Sequence, residues 1–161
     1  ACTVAWEQAV DEIQDLRVVK LRIGLVLGAK GGIFPVLAKP IRWFVGVILG
    51  RGTQGQSWIH IHDLVKMFAC VLTDEHAKGV YNAVAPVPVT HAEMTKQIAK
   101  AYHRPIWWPK VPVWVLRFVM GEMAVLVTGG NFVSADKIQK ELNFSFTYAR
   151  LSDALTQIIH V

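Results

Sequence analysis

Apolar positions along this chain alternate between the helical and the strand period. Trp6, Ala9, Val10, Ile13 and Leu16 recur at helical spacing, with Glu7, Asp11 and Glu12 between them, which predicts an amphipathic helix over Val4–Leu16. Val18–Leu27 (VVKLRIGLVL) is the strongest strand; its second half is nearly all apolar, as in a parallel sheet covered on both faces. A strand of this kind needs neighbours, and few equally strong strands follow. The turn Gly28-Ala-Lys-Gly31-Gly32 leads into a helix over Ile33–Val45 that Pro35 and Pro40 interrupt, and Gly46–Gly55 reads as a loop. Ser57–Ile61 alternates as a short strand, placing Trp58, His60 and His62 on one face and Ile59 and Ile61 on the other. Asp63 then stands at the N-cap of a helix over Leu64–Leu72.

The second part of the chain is punctuated as clearly. Gly79–Val84 predicts a strand, and Thr90-His-Ala-Glu93 is a capping box opening a helix to Tyr102. Arg104–Pro109 reads as an extended aromatic linker, and a helix with Pro112 in its first turn runs to Gly129-Gly130. Ser134 caps a helix over Ala135–Leu142, Phe144–Tyr148 alternates as a strand, and Leu151–Ile159 closes as an amphipathic helix. The order of elements is that of an α/β fold.

Composition changes this picture in one respect. With 161 residues the chain suits one domain, but it is 53% hydrophobic and 18% charged. An ordinary soluble domain is about half apolar and about a quarter charged. The excess implies either deep burial or an apolar surface meant for another domain, a subunit or a membrane. The net charge of +5 is scattered, without a run of four Lys or Arg, which argues against nucleic acid and suits an anionic small ligand. Cys2 and Cys70 form no CxxC pair, and Trp6, Glu7 and Asp11 stand where a secretory signal would be apolar, so a cytoplasmic protein with reduced thiols is expected. The longest apolar stretch, Val111–Val127, is broken by Pro112, Arg117, Gly121 and Glu122. It falls short of the roughly 20 apolar residues of a membrane span. A membrane-surface contact through Trp107, Trp108 and Trp114 is the lesser reading.

Candidate chemistry concentrates in Gly50–Asp63, GRGTQGQSWIHIHD, where Gln54, Gln56, Trp58, His60 and His62 crowd together. His60 and His62 suggest a metal, but a metal site needs three or four ligands and no companion Cys or carboxylate cluster accompanies them, so no metal is expected. Gly28–Gly32 fits neither phosphate-loop spacing, and reads as a turn with glycine at positive φ lining a ligand cleft.

Three segments carry a resemblance: VKLRIGLVLG (19–28) with Gly31-Gly32, GRGTQGQSWIHIHDLV (50–65), and GVYNAVAPVPVT (79–90). Together with Trp6-Glu7, Gly121–Ala124 and the ending Asn143–Leu155, they resemble the epimerase-like branch of the extended short-chain dehydrogenase/reductases, the NAD-dependent epimerase/dehydratase proteins. The resemblance covers that family's second half only. It implies the C-terminal part of a Rossmann-type protein: a late sheet strand (residues 1–30) followed by a small mixed α/β substrate domain (31–161). The family's dinucleotide loop and Tyr-x-x-x-Lys pair belong to the first half. Tyr81, Tyr102 and Tyr148 are followed four residues later by Ala85, Ile106 and Ser152, so none is that tyrosine and no catalytic residue is expected here.

The resemblance further implies NADP or NAD as cofactor, held through the missing N-terminal half, with Arg22, Gly24, Leu25 and Val26 passing near its nicotinamide. Gly32, Gln54, Gln56, Trp58 and His60 would bind substrate, His60 also tying strand to loop and Asp63 capping; Glu122 and Asn131 are weaker candidates. Relatives that bind sugar nucleotides often carry a basic residue where this chain has Gln56, which weakens a nucleotide-sugar assignment. The implied partners are a small-molecule substrate and an N-terminal Rossmann half, with a homodimer left open. The competing expectation is a non-catalytic ligand- or partner-binding module built on the same fold.

Overall fold

The computed structural model describes residues 2–13, 16–44, 46–106 and 130–160. The predicted helix from Pro112 to Gly129 lies outside them, as do Glu122 and the tryptophans at 107, 108 and 114. The elements are α1 (Cys2–Asp11), β1 (Val19–Ile23), β2 (Leu25–Leu27), α2 (Phe34–Arg42), β3 (Gly55–Gln56), β4 (Trp58–His60), α3 (Ile61–Thr73), β5 (Gly79–Ala83), β6 (Val89–Thr90), α4 (His91–Ala101), α5 (Asp136–Leu142) and α6 (Leu151–His160).

The single strand expected over Val18–Leu27 is two strands with different neighbours. β1 pairs in parallel with β5, Val19 opposite Gly79, and β2 pairs in parallel with β4, Leu25 opposite Trp58. The change of partner falls on Gly24, whose N–H donates to Ala83 O (3.1 Å), while the next N–H, of Leu25, donates to Ser57 O (2.8 Å). A Cβ on Gly24 would lie 2.4 Å from Ser57 O, so only glycine lets the two backbones approach this closely. The short antiparallel pair β3–β6 stands apart and joins the loop before β4 to the start of α4.

Two cores lie on either side of β2 and β4, because successive side chains of a strand point to opposite faces. Trp58 enters the first, with Leu27, Phe34 and Ile41 of the α2 side and Met94, Ile98, Leu155 and Ile158 of α4 and α6. Ile59 enters the second, with Met67 and Val71 of α3, Tyr81 of β5, and Ile138 and Phe144.

Helix termini follow the sequence in one case and depart from it in others. Thr90 caps α4 as a full capping box, its Oγ1 accepting from Glu93 N while the Glu93 carboxylate accepts from Thr90 N. α3 begins three residues earlier than predicted, with His60 as its N-cap, and Asp63 sits inside its first turn. Ser134 Oγ accepts from Asp136 N, although the residue at the N-cap of α5 is Ala135. Phe144–Tyr148 alternates in sequence but pairs with no strand among the described residues; its backbone is held instead by the Asp63 side chain.

Candidate functional site

The Gly50–Asp63 motif divides into two parts with different work. Its second part is a structural knot. Asp63 is wholly buried, and its two carboxylate oxygens accept from Thr147 N (2.9 Å) and Tyr148 N (2.8 Å). His60 Nδ1 accepts from His62 N, which places the ring hydrogen on Nε2, donating to Gln157 Oε1 of α6 at 2.9 Å. The Tyr148 ring packs against His60 with centroids 4.1 Å apart. Burial lowers the His60 pKa below its ordinary 6.5, opposed by the Gln157 bond, so the imidazole is held neutral. These residues fasten the C-terminal segment to the β4–α3 junction.

Trp58 and His60, expected to bind substrate, lie buried with their polar atoms engaged within the chain. Trp58 is 0% exposed and its indole N–H donates to Val87 O at 3.0 Å; His60 is 2% exposed with both ring nitrogens engaged. The expectation that Asp63 caps α3 is corrected: its carboxylate is directed at a segment more than 80 residues away in sequence. His62, predicted to share a face with Trp58 and His60, is an exposed residue of α3 because the strand ends at His60.

The first part of the motif builds a polar wall. Gln54 is half-buried, with its Nε2 donating to Leu49 O (3.1 Å), and its backbone O accepts from His91 N (2.9 Å). Gln56 is nearly buried in β3, opposite Val89. Ser57, which sequence reasoning assigned no role, organises this wall: its Oγ donates to Asn131 O (2.8 Å) and accepts from Val133 N (2.9 Å). The strap at 130–133 crosses so closely that a Cβ on Gly130 would lie 2.2 Å from Gly55 O. The Gly-x-Ser spacing ahead of Trp58 was the available signal, but its partner lies 74 residues on. Asn131 and Phe132, on this strap, are exposed beside Gln56 and Gly55.

The residues expected near a cofactor occupy three settings. Arg22 is exposed, and its guanidinium makes a forked pair with Glu7 of α1, Nε to Oε1 at 2.7 Å and Nη2 to Oε2 at 2.5 Å. Gly24 forms the strand switch, and Leu25 and Val26 are half-buried in β2. Gly32 closes the turn beyond β2 at φ +71°, and a Cβ there would lie 2.2 Å from Val26 O, so the expected positive-φ glycine is present. Among the described residues no group of three or more His, Cys, Asp or Glu could hold a metal, and no helix is long and apolar enough to cross a membrane.

Comparison with known proteins places these features. The description "Domain of unknown function (DUF1731)" matches residues 111–158. The chain is 41% identical over 155 residues to the chloroplastic homologue of the epimerase family protein SDR39U1 from Arabidopsis thaliana, covering 96% of this chain and 44% of that protein. It is 34% identical over 158 residues to the epimerase family protein SA0724 of Staphylococcus aureus, covering 96% of this chain and 51% of the relative. The crystal structure of human epimerase family protein SDR39U1 with NADPH superposes with a TM-score of 0.90 at 31% identity, over 98% of this chain and 54% of that one. The chain is similar to the SDR39U1-like epimerase family proteins along nearly its whole length. It matches the C-terminal portion of these epimerase family proteins and spans about half the length of the curated relatives it matches. PA4631 of Pseudomonas aeruginosa, described as a nucleoside-diphosphate-sugar epimerase, shares the fold with a TM-score of 0.76 at 20% identity.

Proposed function

We propose that the chain is the substrate-binding portion of an NAD(P)-dependent epimerase or reductase, completed by a nucleotide-binding half of the kind its longer relatives carry. The observation that carries the reading is the superposition on a protein crystallised with NADPH, of which this chain covers 54%. In this reading α1, β1, β5, β2, β4 and α3 back the nucleotide side. Gln54, Gln56, Gly32 and the strap at 130–133 line the substrate side.

The described residues fit a partial cofactor site. Arg22 is already neutralised by Glu7, and Gly28–Gly32 lacks dinucleotide-loop spacing, so neither supplies a pyrophosphate cradle. Leu25 and Val26 lead to the carboxyl end of a parallel strand at Leu27, and that end is where an open α/β sheet offers a ligand wall. A bound nicotinamide would supply hydride chemistry; the chain's own groups there are amides and backbone, suited to orient a polar substrate and not to move protons.

The experiment is a titration of NADPH and NADH against this chain and against the protein with its nucleotide-binding half. Binding is expected only in the longer form, and tight binding by this chain alone contradicts the reading. In the longer form Gln56→Ala should raise substrate KM and leave cofactor affinity unchanged; an unchanged KM removes Gln56 from the site.

A further inference from the structure

Ser57 stands where two pieces of sheet meet. It follows β3 and precedes β4, between the β3–β6 pair and the β2–β4 pair. Its carbonyl oxygen accepts from Leu25 N at 2.8 Å, which fixes the residue to the start of β2. Its side chain serves a different segment. The buried hydroxyl donates to Asn131 O (2.8 Å) and accepts from Val133 N (2.9 Å), so it is donor and acceptor at once to two positions of the strap at 130–133.

Little else ties that strap down. Among the described residues no backbone–backbone hydrogen bond joins 130–133 to the sheet, and the next tie is at Ser134, whose carbonyl oxygen accepts from Asn82 Nδ2 at 3.0 Å. The fit is nonetheless close. A Cβ on Gly130 would lie 2.2 Å from Gly55 O, and a Cβ on Gly55 would lie 2.9 Å from both Asn131 C and Phe132 N. Backbone rests on backbone here. Van der Waals contact of this kind is not directional, whereas the two hydroxyl bonds fix where along β3 the strap sits. So seated, Asn131 and Phe132 are exposed, offering an amide and an aromatic ring. Small-molecule sites combine such rings with a few placed polar groups.

We propose that Ser57 is a positioning residue of the substrate side: its hydroxyl seats the 130–133 strap on β3, and it acts on substrate through Asn131 and Phe132. This rests on the proposed function, which assigns the strap to the substrate side.

Two measurements on the full-length protein test it. The first is hydrogen exchange over 130–133. In Ser57→Ala the Val133 amide loses its acceptor, and exchange there should quicken about tenfold, the factor that about 1.4 kcal/mol of local stability gives. Ser57→Thr keeps a hydroxyl and should restore the parental rate. Gly55→Ala keeps Ser57 but wedges a methyl group against the strap backbone, so it should quicken the same amides. Rates across β4 and α3 should stay parental. The second measurement is NADPH-dependent reduction of 9,10-phenanthrenequinone, used as a carbonyl probe. Ser57→Ala and Gly55→Ala should raise its KM by about tenfold with little change in kcat, and Ser57→Thr should restore it. NADPH affinity should be parental throughout. Unaltered strap exchange in Ser57→Ala, equal acceleration in Ser57→Thr, or acceleration spread evenly over β4 and α3 overturns the positioning role. A parental KM in both alanine variants, or a weakened NADPH affinity, overturns the link to substrate. A parent that does not reduce the quinone counts against the proposed hydride transfer, and the exchange comparison decides Ser57 without it.

Discussion

Trp58 and Ile59 are neighbours in sequence and anchor two regions of different character. On the Trp58 side, α2, α4 and α6 close around the indole, and the large exposed hydrophobics of α2 are confined to Val36 near its start and Trp43 and Phe44 at its end. Phe44 is partly shielded by the Arg104 guanidinium, 4.0 Å from the ring centre. On the Ile59 side the core is equally well buried, but its outer surface is not finished. Val65, Phe68 and Leu72 run exposed along α3, Val4, Trp6 and Val10 along α1, and Ile23 ends β1 exposed. Among the described residues β1 pairs with β5 alone, so its other edge is open. A soluble domain rarely leaves both an apolar face and a free strand edge uncovered. Among the described residues, this side carries an exposed apolar face and an open strand edge together, and it is where the proposed nucleotide-binding half would sit.

The contrast can be broken most severely at Trp58. Trp58→Ala should destabilise the chain by about 4 kcal/mol, as deletion of a buried aromatic does, whereas Leu72→Gln on the open face should change stability by no more than about 0.5 kcal/mol. Chemical denaturation of the two variants compares them directly; similar losses would mean that the two faces are not distinct. Asp63→Ala comes next. It leaves Thr147 N and Tyr148 N without their acceptor, and a loss of about 3 kcal/mol is expected, with the C-terminal amides exchanging faster by hydrogen-exchange mass spectrometry. Thr90→Ala removes one member of the capping box and should cost about 1 kcal/mol, read as a lowered denaturation midpoint at constant slope.

The smallest effect is on pH. Burial holds the folded-state pKa of both His60 and His91 below 6.5. In that window the unfolded chain binds more protons than the folded one, so stability is full above about pH 6.5 and falls as the pH drops toward the folded values. A shallow loss of melting temperature between pH 7 and pH 5 is expected, and His91→Gln should flatten it. A stability that rises on acidification over that range would contradict the burial argument.

Much of this fold was legible locally. The capping box at Thr90–Glu93, the helices flanking it and the strand Gly79–Ala83 rest on signals within a few residues, and the structure follows them. What was not legible depends on partners distant in sequence. Asp63 looks like a cap because local pattern shows the helix it precedes and not the Thr147–Tyr148 backbone that it grips. Trp58 and His60 look like ligand contacts because polar tips at strand spacing suggest a cleft, while Val87 and Gln157, which engage those tips, stand 29 and 97 residues away. Ser57 was overlooked for the same reason. The positive-φ glycine at Gly32 was readable in the turn, and the crossing of the 130–133 strap over Gly55 was not.

Gly24 carries a consequence for how the molecule comes apart. One continuous segment serves two sheets, so neither core owns a complete set of strands. Cutting the chain there would take from each side a strand that the other side's backbone helps to hold in register. The two cores should therefore melt in a single cooperative transition, and attempts to dissect the chain into separately folding pieces at this point should yield none that is stable alone.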